Sequence, residues 1–375
     1  MATAAVVGTL VLLSSSAAAA ARSVPAALFV FGDSLVDDGN NNALSCLAKA
    51  NFFPYGVDFP GGGGAAAGRF CNGKTFVDAL CDLLGLQYVP PFATTTTTTG
   101  LNGTSLLAGV NYASAAGGIL DETGQHLGER FSLSEQVLNM ESNLETIRSL
   151  MEDRIQGGYD MYLARSIVVM VLGSNDYINN YLLTSLYDSG YTYSPEDYAD
   201  LLINHYTRQI LALYSVGLRK FLLAGVGPLG CIPRLRASGL GPLGRCVDQV
   251  NQMVGFFNQG LRSLVGELNA DHPDAIFLYG NTYYAIYDML NNPYKYGISY
   301  YNFKCGSGWW TVGAAWRVRT ARARRTRSRA RAASSTCSGT PTTRRRPSTW
   351  SSPRAPSTAR RIMFTRSIYN SSPIS

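Results

Sequence analysis

Histidine is scarce in this chain: three in 375 residues, at positions 126, 205 and 272. With so few, and with seven cysteines whose spacing matches no zinc pattern, a metal centre is not expected, nor is an organic cofactor. No apolar run is long enough to span a bilayer as a helix, so no transmembrane segment is expected. There is no internal repeat. Charged residues make up only 15% against 46% hydrophobic, which excludes a largely disordered chain and leaves ample material for a core. The sharpest absence is local. After Cys305 there is no Asp, no Glu and no His.

The formal net charge of +7 comes from that same end. Residues 313–375 hold 15 arginines and no acid, so the preceding chain carries 17 basic residues against 25 acidic ones. The body is acidic, and no nucleic-acid partner is expected for it. A basic tail that binds polyanions is a rival reading of residues 317–366.

Residues 1–21 read as a secretory signal, with an apolar stretch over 6–13 and small residues over 17–21. A secreted, extracellular protein meets an oxidising compartment, where disulfides persist. Cys231 and Cys246 bracket a Pro/Gly/Arg loop and are the best candidate pair. Asn102-Gly-Thr104 fits an N-glycosylation acceptor.

The rest of the chain divides at residue 312 into a folded domain, 22–312, and an Arg-rich tail, 313–375, expected to be disordered. Within the domain, apolar runs at 26–31, 166–172, 220–226 and 275–279 read as buried strands. Residues 108–119 read as a fifth, short strand running into a turn of small residues. Helical spacing falls at 74–84, 132–151, 194–214, 247–268 and 285–290. Ser132 and Glu135 form a candidate capping box, and Ser194-Pro195 marks a helix start. Strands alternating with helices of 15–20 residues imply one α/β domain with a parallel sheet covered on both faces.

Three strands end in polar or small residues. The first breaks into Gly32-Asp-Ser-Leu-Val-Asp-Asp-Gly-Asn-Asn-Asn42, which puts a hydroxyl directly after the strand, where open α/β sheets bind ligands. The turn within 108–119 offers Gly117 and Gly118, and the strand over 166–172 breaks into Gly173-Ser-Asn-Asp-Tyr177. Ser34 can act as a nucleophile, the glycines can offer backbone amides, and Asn175 a side-chain amide. A hydroxyl plus convergent amide donors is what acyl transfer requires.

These motifs, with Gly109-Val-Asn-Tyr-Ala-Ser-Ala-Ala-Gly-Gly-Ile119 and Gly225-Val-Gly-Pro-Leu-Gly-Cys-Ile-Pro233, resemble the plant GDSL esterase/lipase family of the SGNH hydrolases over about residues 26–305. The resemblance implies a flavodoxin-like αβα sandwich and a serine ester hydrolase acting on lipid or other carboxylic esters. It implies Ser34 as nucleophile, and an oxyanion hole formed by the Ser34 amide, Asn175 and one glycine, Gly118 or Gly117. A small-molecule ester or lipid is the expected partner, and the chain is expected to be a monomer.

The family pattern also requires an Asp-x-x-His pair near the C-terminus, to deprotonate the serine and orient the base. Those residues are not present in this chain. His205 lies mid-helix, and His272 sits in a turn between a helix and a strand. The tail reads instead as an out-of-frame translation of a GC-rich gene. Shifted by one base, the codon endings for Ser338 to Arg344 admit Leu-Trp-Asp-Ala-Tyr-His-Pro, and Arg345 to Pro347 admit Thr-Glu-Ala. The family block has the form Trp-Asp-x-x-His-Pro-Thr-Glu. A catalytically inactive secreted binding protein on the same fold is the alternative function.

Overall fold

The computed structural model describes residues 25–60, 68–95, 103–152, 158–242 and 244–296. Four parallel strands form its sheet in the order β1 (Leu28–Gly32), β2 (Ile167–Val171), β3 (Lys220–Ala224), β4 (Ile276–Gly280). Their registers pair Phe31 with Met170 and Leu223 with Tyr279, so all four C-terminal ends share one edge.

A fifth segment completes the order on the other side of β1. Leu28 and Val30 donate backbone hydrogen bonds to Ala108 and Val110 at 3.1 and 3.0 Å, and Tyr112 and Ser114 donate to Val30 and Gly32 at 2.8 and 3.0 Å. This is a parallel ladder. Counting it as the second strand in sequence gives the spatial order 2-1-3-4-5 of flavodoxin-like sheets. The two backbones come close at Gly109, whose φ is +108° and where a Cβ would lie 2.0 Å from the Leu28 carbonyl oxygen. Only glycine fits there.

Alternation along the strands splits the core in two. Phe29, Phe31, Val168, Met170, Phe221, Leu223 and Phe277 point into the larger cluster. Four helices supply its other half: α2 (Leu133–Glu152), α3 (Gly158–Arg165), α4 (Pro195–Ser215) and α5 (Asp248–Asp271). Leu28, Val30 and Val169 face the other way, against Val77 and Cys81 of α1 (Phe76–Leu84). Helices on both faces of a parallel sheet make a three-layer αβα sandwich, as the alternation of elements implied. The second face is only partly covered among the described residues, since Ile276 and Leu278 of β4 are 53% and 57% exposed. The last described α-helix is α6 (Thr282–Asn291).

Local signals in the sequence have structural counterparts. Ser132 and Glu135 make the reciprocal capping box, and the Ser194 hydroxyl caps α4 with Pro195 in its first turn. Thr75 and Asp78 make a second capping box at α1, not recognised in the sequence. Helix α3 was also not anticipated, because its eight residues carry too short an apolar pattern. Cys231 and Cys246 form a disulfide, while Cys46, Cys71 and Cys81 are free. Residues 1–24, Asn102, Cys305, Cys337 and the whole Arg-rich tail lie outside the described residues. No described helix is long and apolar enough to cross a membrane.

Candidate active site

The site begins where β1 ends. Asp33 keeps one more hydrogen bond to β2, donating to the Val171 carbonyl at 3.2 Å. The chain then turns sharply, and Val36 and Asp37 donate back to the Asp33 carbonyl at 3.1 and 3.0 Å. Ser34 and Leu35 occupy the outer corner of this turn. Ser34 is half-buried and Leu35 is 48% exposed. The turn is steered by Asp33, whose side chain accepts the Leu35 N–H at 2.9 Å. Neither the Ser34 N–H nor its hydroxyl has a hydrogen-bond partner among the described residues.

The glycine turn is tied to this corner by a buried polar network. Asn40 donates to the carbonyls of Asn111 and Ala113 at 2.8 and 2.7 Å. Asn41 holds Ala115 from both sides, taking its N–H at 3.1 Å and donating to its carbonyl at 2.9 Å. Asp37 also accepts the Ala115 N–H, at 3.1 Å, and Gln136 bridges Gly32 at both its N–H and its carbonyl. Between these ties sits Ala116, whose φ of 67° is the one positive value at a non-glycine among the described residues. Such strain persists only where the surroundings over-determine the backbone, and it clusters at functional sites.

The third strand end closes the group. Gly173, at φ 111°, turns the chain out of β2 into the single helical turn Ser174–Asp176 and the wider turn Tyr177–Tyr181. From there the Asn175 side-chain amide donates to the Gly117 carbonyl at 2.9 Å, and its oxygen accepts from Asn179 at 2.7 Å. The neighbouring Asp176 accepts the N–H groups of Ile119 and Leu120 and the Thr123 hydroxyl, at 2.9, 3.1 and 2.7 Å. Gly117 itself donates to the Ser114 carbonyl at 3.1 Å. That leaves the Gly118 N–H without a partner in this turn. A Cβ at Gly118 would lie 2.4 Å from Thr123 Cγ2 and 2.6 Å from Asp176 Oδ1, so the turn closes only around glycine.

Three sequence-selected segments therefore meet at one edge of the sheet. The polar residues that join them had no role read from the sequence. Asn40 and Asn41 stood out only as part of an asparagine run, Asp176 only as the acid beside Asn175, and Gln136 not at all.

The floor of the site is rich in buried carboxylates. Burial pushes the Asp33 carboxyl up to about 7 and that of Asp37 up to about 6, the latter opposed by backbone N–H donors. Burial also raises Asp176, against its three hydrogen-bond donors. Arg69 forks onto Asp78 at 2.8 and 3.0 Å and stands 3.6 Å from Asp38, holding the start of α1 against the Asp-Gly-Asn stretch.

The histidines lie elsewhere. His272 ends α5 and precedes β4, so it sits at the opposite edge of the sheet from Ser34, a strand of five residues away. A five-residue strand spans roughly 16 Å. His205 projects from α4 beside Arg208. His126 lies in the short turn Gln125–Leu127, where Nδ1 meets the Tyr187 hydroxyl at 2.9 Å and Nε2 is buried without a partner. None of the three is hydrogen-bonded to Ser34. Among the described residues no group of His, Cys, Asp and Glu could hold a metal ion.

The chain matches the model of the GDSL-like Lipase/Acylhydrolase family over residues 28–310. One GDSL esterase/lipase of Arabidopsis thaliana is 54% identical over 279 residues, covering 74% of this chain and 72% of the relative. The A. thaliana protein named GDSL esterase/lipase 7 is 48% identical over 286 residues, covering 75% and 76%. A third, also from A. thaliana, is 46% identical over 287 residues, covering 76% and 75%.

Proposed function

This chain belongs to the GDSL-like lipase/acylhydrolase family, whose members are ester hydrolases, and from that premise we propose that it cleaves carboxylic esters through an acyl-enzyme on Ser34. In this reading the Ser34 oxygen attacks the ester carbonyl. The oxyanion that develops is held by the N–H groups of Ser34 and Gly118 and by the Asn175 amide. The alcohol leaves, and water releases the acid from the serine. The observation that carries the proposal is the pair of unpartnered backbone N–H groups, at Ser34 and Gly118, on loops tied together by Asn41 and Asn175. Free amides on loops held by buried hydrogen bonds are what an oxyanion site needs. Gly118 is preferred over Gly117 because the Gly117 N–H is already used. The test is a fluorophosphonate probe, which labels an activated serine. Labelling at Ser34, abolished in Ser34→Ala, is the expected result; no labelling at Ser34 overturns the assignment.

The second reading is favoured by one feature of the sequence. The family match stops at residue 310, and beyond it the chain holds no Asp, Glu or His. With no base supplied from there, this polypeptide is a poor catalyst or a binding protein that keeps the pocket. Loss of a triad member costs orders of magnitude in turnover. We attribute the tail to a reading-frame shift after Cys305. The coding DNA decides: a single insertion or deletion must restore the Trp-Asp-x-x-His-Pro block, and otherwise the attribution fails. Hydrolysis of p-nitrophenyl esters by this chain at rates typical of a complete triad would sink the inactive reading.

Secretion rests on residues 1–21, and glycosylation on Asn102. Recovery of the protein from culture medium with a new N-terminus near residue 22, and a mass loss on glycosidase treatment, are the results expected. Lipid or another ester as substrate, a monomeric state and the absence of a nucleic-acid partner remain part of the same proposal.

A further inference from the structure

Asp176 stands beside Asn175 but has no place in the chemistry above. It is fully buried, on a turn whose other end is fixed by the Tyr198 hydroxyl donating to the Asp176 carbonyl at 2.9 Å. Its two oxygens divide three donors. One takes the Ile119 N–H, and the other takes the Leu120 N–H and the Thr123 hydroxyl. Thr123 in turn accepts from Asn180 at 3.1 Å, so the carboxylate ends a chain of bonds running back into its own turn. On the near side, Asn175 grips the Gly117 carbonyl. The pair therefore holds the glycine turn at positions 117, 119 and 120 and skips 118.

We propose that Asp176 is a positioning residue for the oxyanion site: by consuming the Ile119 and Leu120 N–H groups it leaves Gly118 as the single free amide of residues 117–120 and fixes where that amide points. This rests on the Ser34 reading above. A carboxylate is needed because the geometry demands acceptors only. An asparagine would keep the size but set its own NH2 against a backbone N–H, and one anchor would be lost. Removing the anchor tilts the Gly118 peptide, which changes how well a developing oxyanion is held more than how well a ground-state ligand binds.

The experiment measures phosphonylation of Ser34 in the full chain by an alkyl fluorophosphonate, with imidazole in the buffer as general base. In that step the Ser34 oxygen bonds to phosphorus, the P–F bond breaks, fluoride leaves and the hydroxyl proton passes to imidazole. Rates are measured against probe concentration, which separates the limiting rate from half-saturation. Asp176→Asn is expected to lower the limiting rate about 100-fold, the size of effect that a misplaced group of about 1 Å produces, with half-saturation within about twofold. Thr123→Val removes one of three donors and is expected to lower the limiting rate about fivefold, the worth of one neutral hydrogen bond. Wild-type limiting rates in either variant, or a loss confined to half-saturation, overturn the inference and leave the Ser34 reading intact. If Asp176→Asn does not fold, Thr123→Val carries the test alone. An unlabelled wild-type chain, or label persisting in Ser34→Ala, overturns the Ser34 reading and this inference with it.

Discussion

The side-chain amide of Asn175 donates to the Gly117 carbonyl at 2.9 Å, across 58 residues of sequence. One amide hydrogen is spent on that bond and the other is left for a ligand. The residue holds the glycine turn, and in the proposed reading it also faces the substrate oxygen. Asn175→Ala is expected to lower the limiting rate of Ser34 phosphonylation by about 100- to 1,000-fold, the usual effect of losing an oxyanion donor. Stopped-flow or gel-resolved labelling measures it, and a change under threefold would remove Asn175 from the site.

Gly118 and Ala116 should respond differently. A Cβ at 118 meets Thr123 and Asp176, both anchored, so Gly118→Ala should destabilise by about 1–3 kcal/mol and lower labelling. Ala116 already has φ 67°, where a side chain is strained and glycine is not. Ala116→Gly relieves that strain but adds freedom to the unfolded chain, so its stability should stay within about 1 kcal/mol of wild type. Urea denaturation of the two variants checks both expectations.

Arg69 is the counter-ion for two buried carboxylates. Its fork onto Asp78 also places it over the Phe59 ring, with Cζ 4.1 Å from the ring centre. Arg69→Met would leave Asp38 and Asp78 buried without a partner cation. A loss of about 3–5 kcal/mol is expected, measured by chemical denaturation. Arg69→Met, Asp78→Leu together should recover part of it, because the pair is then removed rather than broken.

Stability should fall as pH rises from weakly acid to neutral. Burial raises Asp33 to about 7 and Asp37 to about 6 from an ordinary 3.8. The folded state therefore binds more protons than the unfolded one across that window. Stabilisation from these groups is complete below about pH 4 and is lost as pH climbs through 6 to 7, each group tilting stability by at most about 1.4 kcal/mol per pH unit. Thermal melts from pH 4.5 to 8 should show the midpoint dropping, and Asp33→Asn should flatten the slope. A midpoint that rises over this range would contradict the burial of these acids.

The Cys231–Cys246 bond closes a loop of 15 residues just beyond β3. Closing a loop of that length is worth about 3 kcal/mol in the chain-entropy account. Cys231→Ser, Cys246→Ser should lose stability of that order, read by urea denaturation without reductant. Alkylation of the native protein should consume thiols at Cys46 and Cys71 before Cys81, which is buried.

By itself the sequence determined the layering and singled out the turns on which the proposed site is built. Apolar runs with period two or none, set between helices of period 3.6, admit little but a covered parallel sheet. The start of the 108–119 segment reads as a strand and does run beside β1, because a strand's pattern is local. The Gly-Asp-Ser, Gly-Gly and Ser-Asn-Asp turns stood out because each breaks an apolar run abruptly. What only the tertiary structure decided is how those turns are held. Asn41 on Ala115, Gln136 on Gly32 and Asp176 on Ile119 join residues 57 to 104 positions apart, and no periodicity records such pairs. Equally, only the common direction of the strands put His272 at the wrong edge of the sheet. A hydrogen bond between distant side chains exists once the chain has folded, so residue type can suggest that a group will need a partner but not which partner it will find.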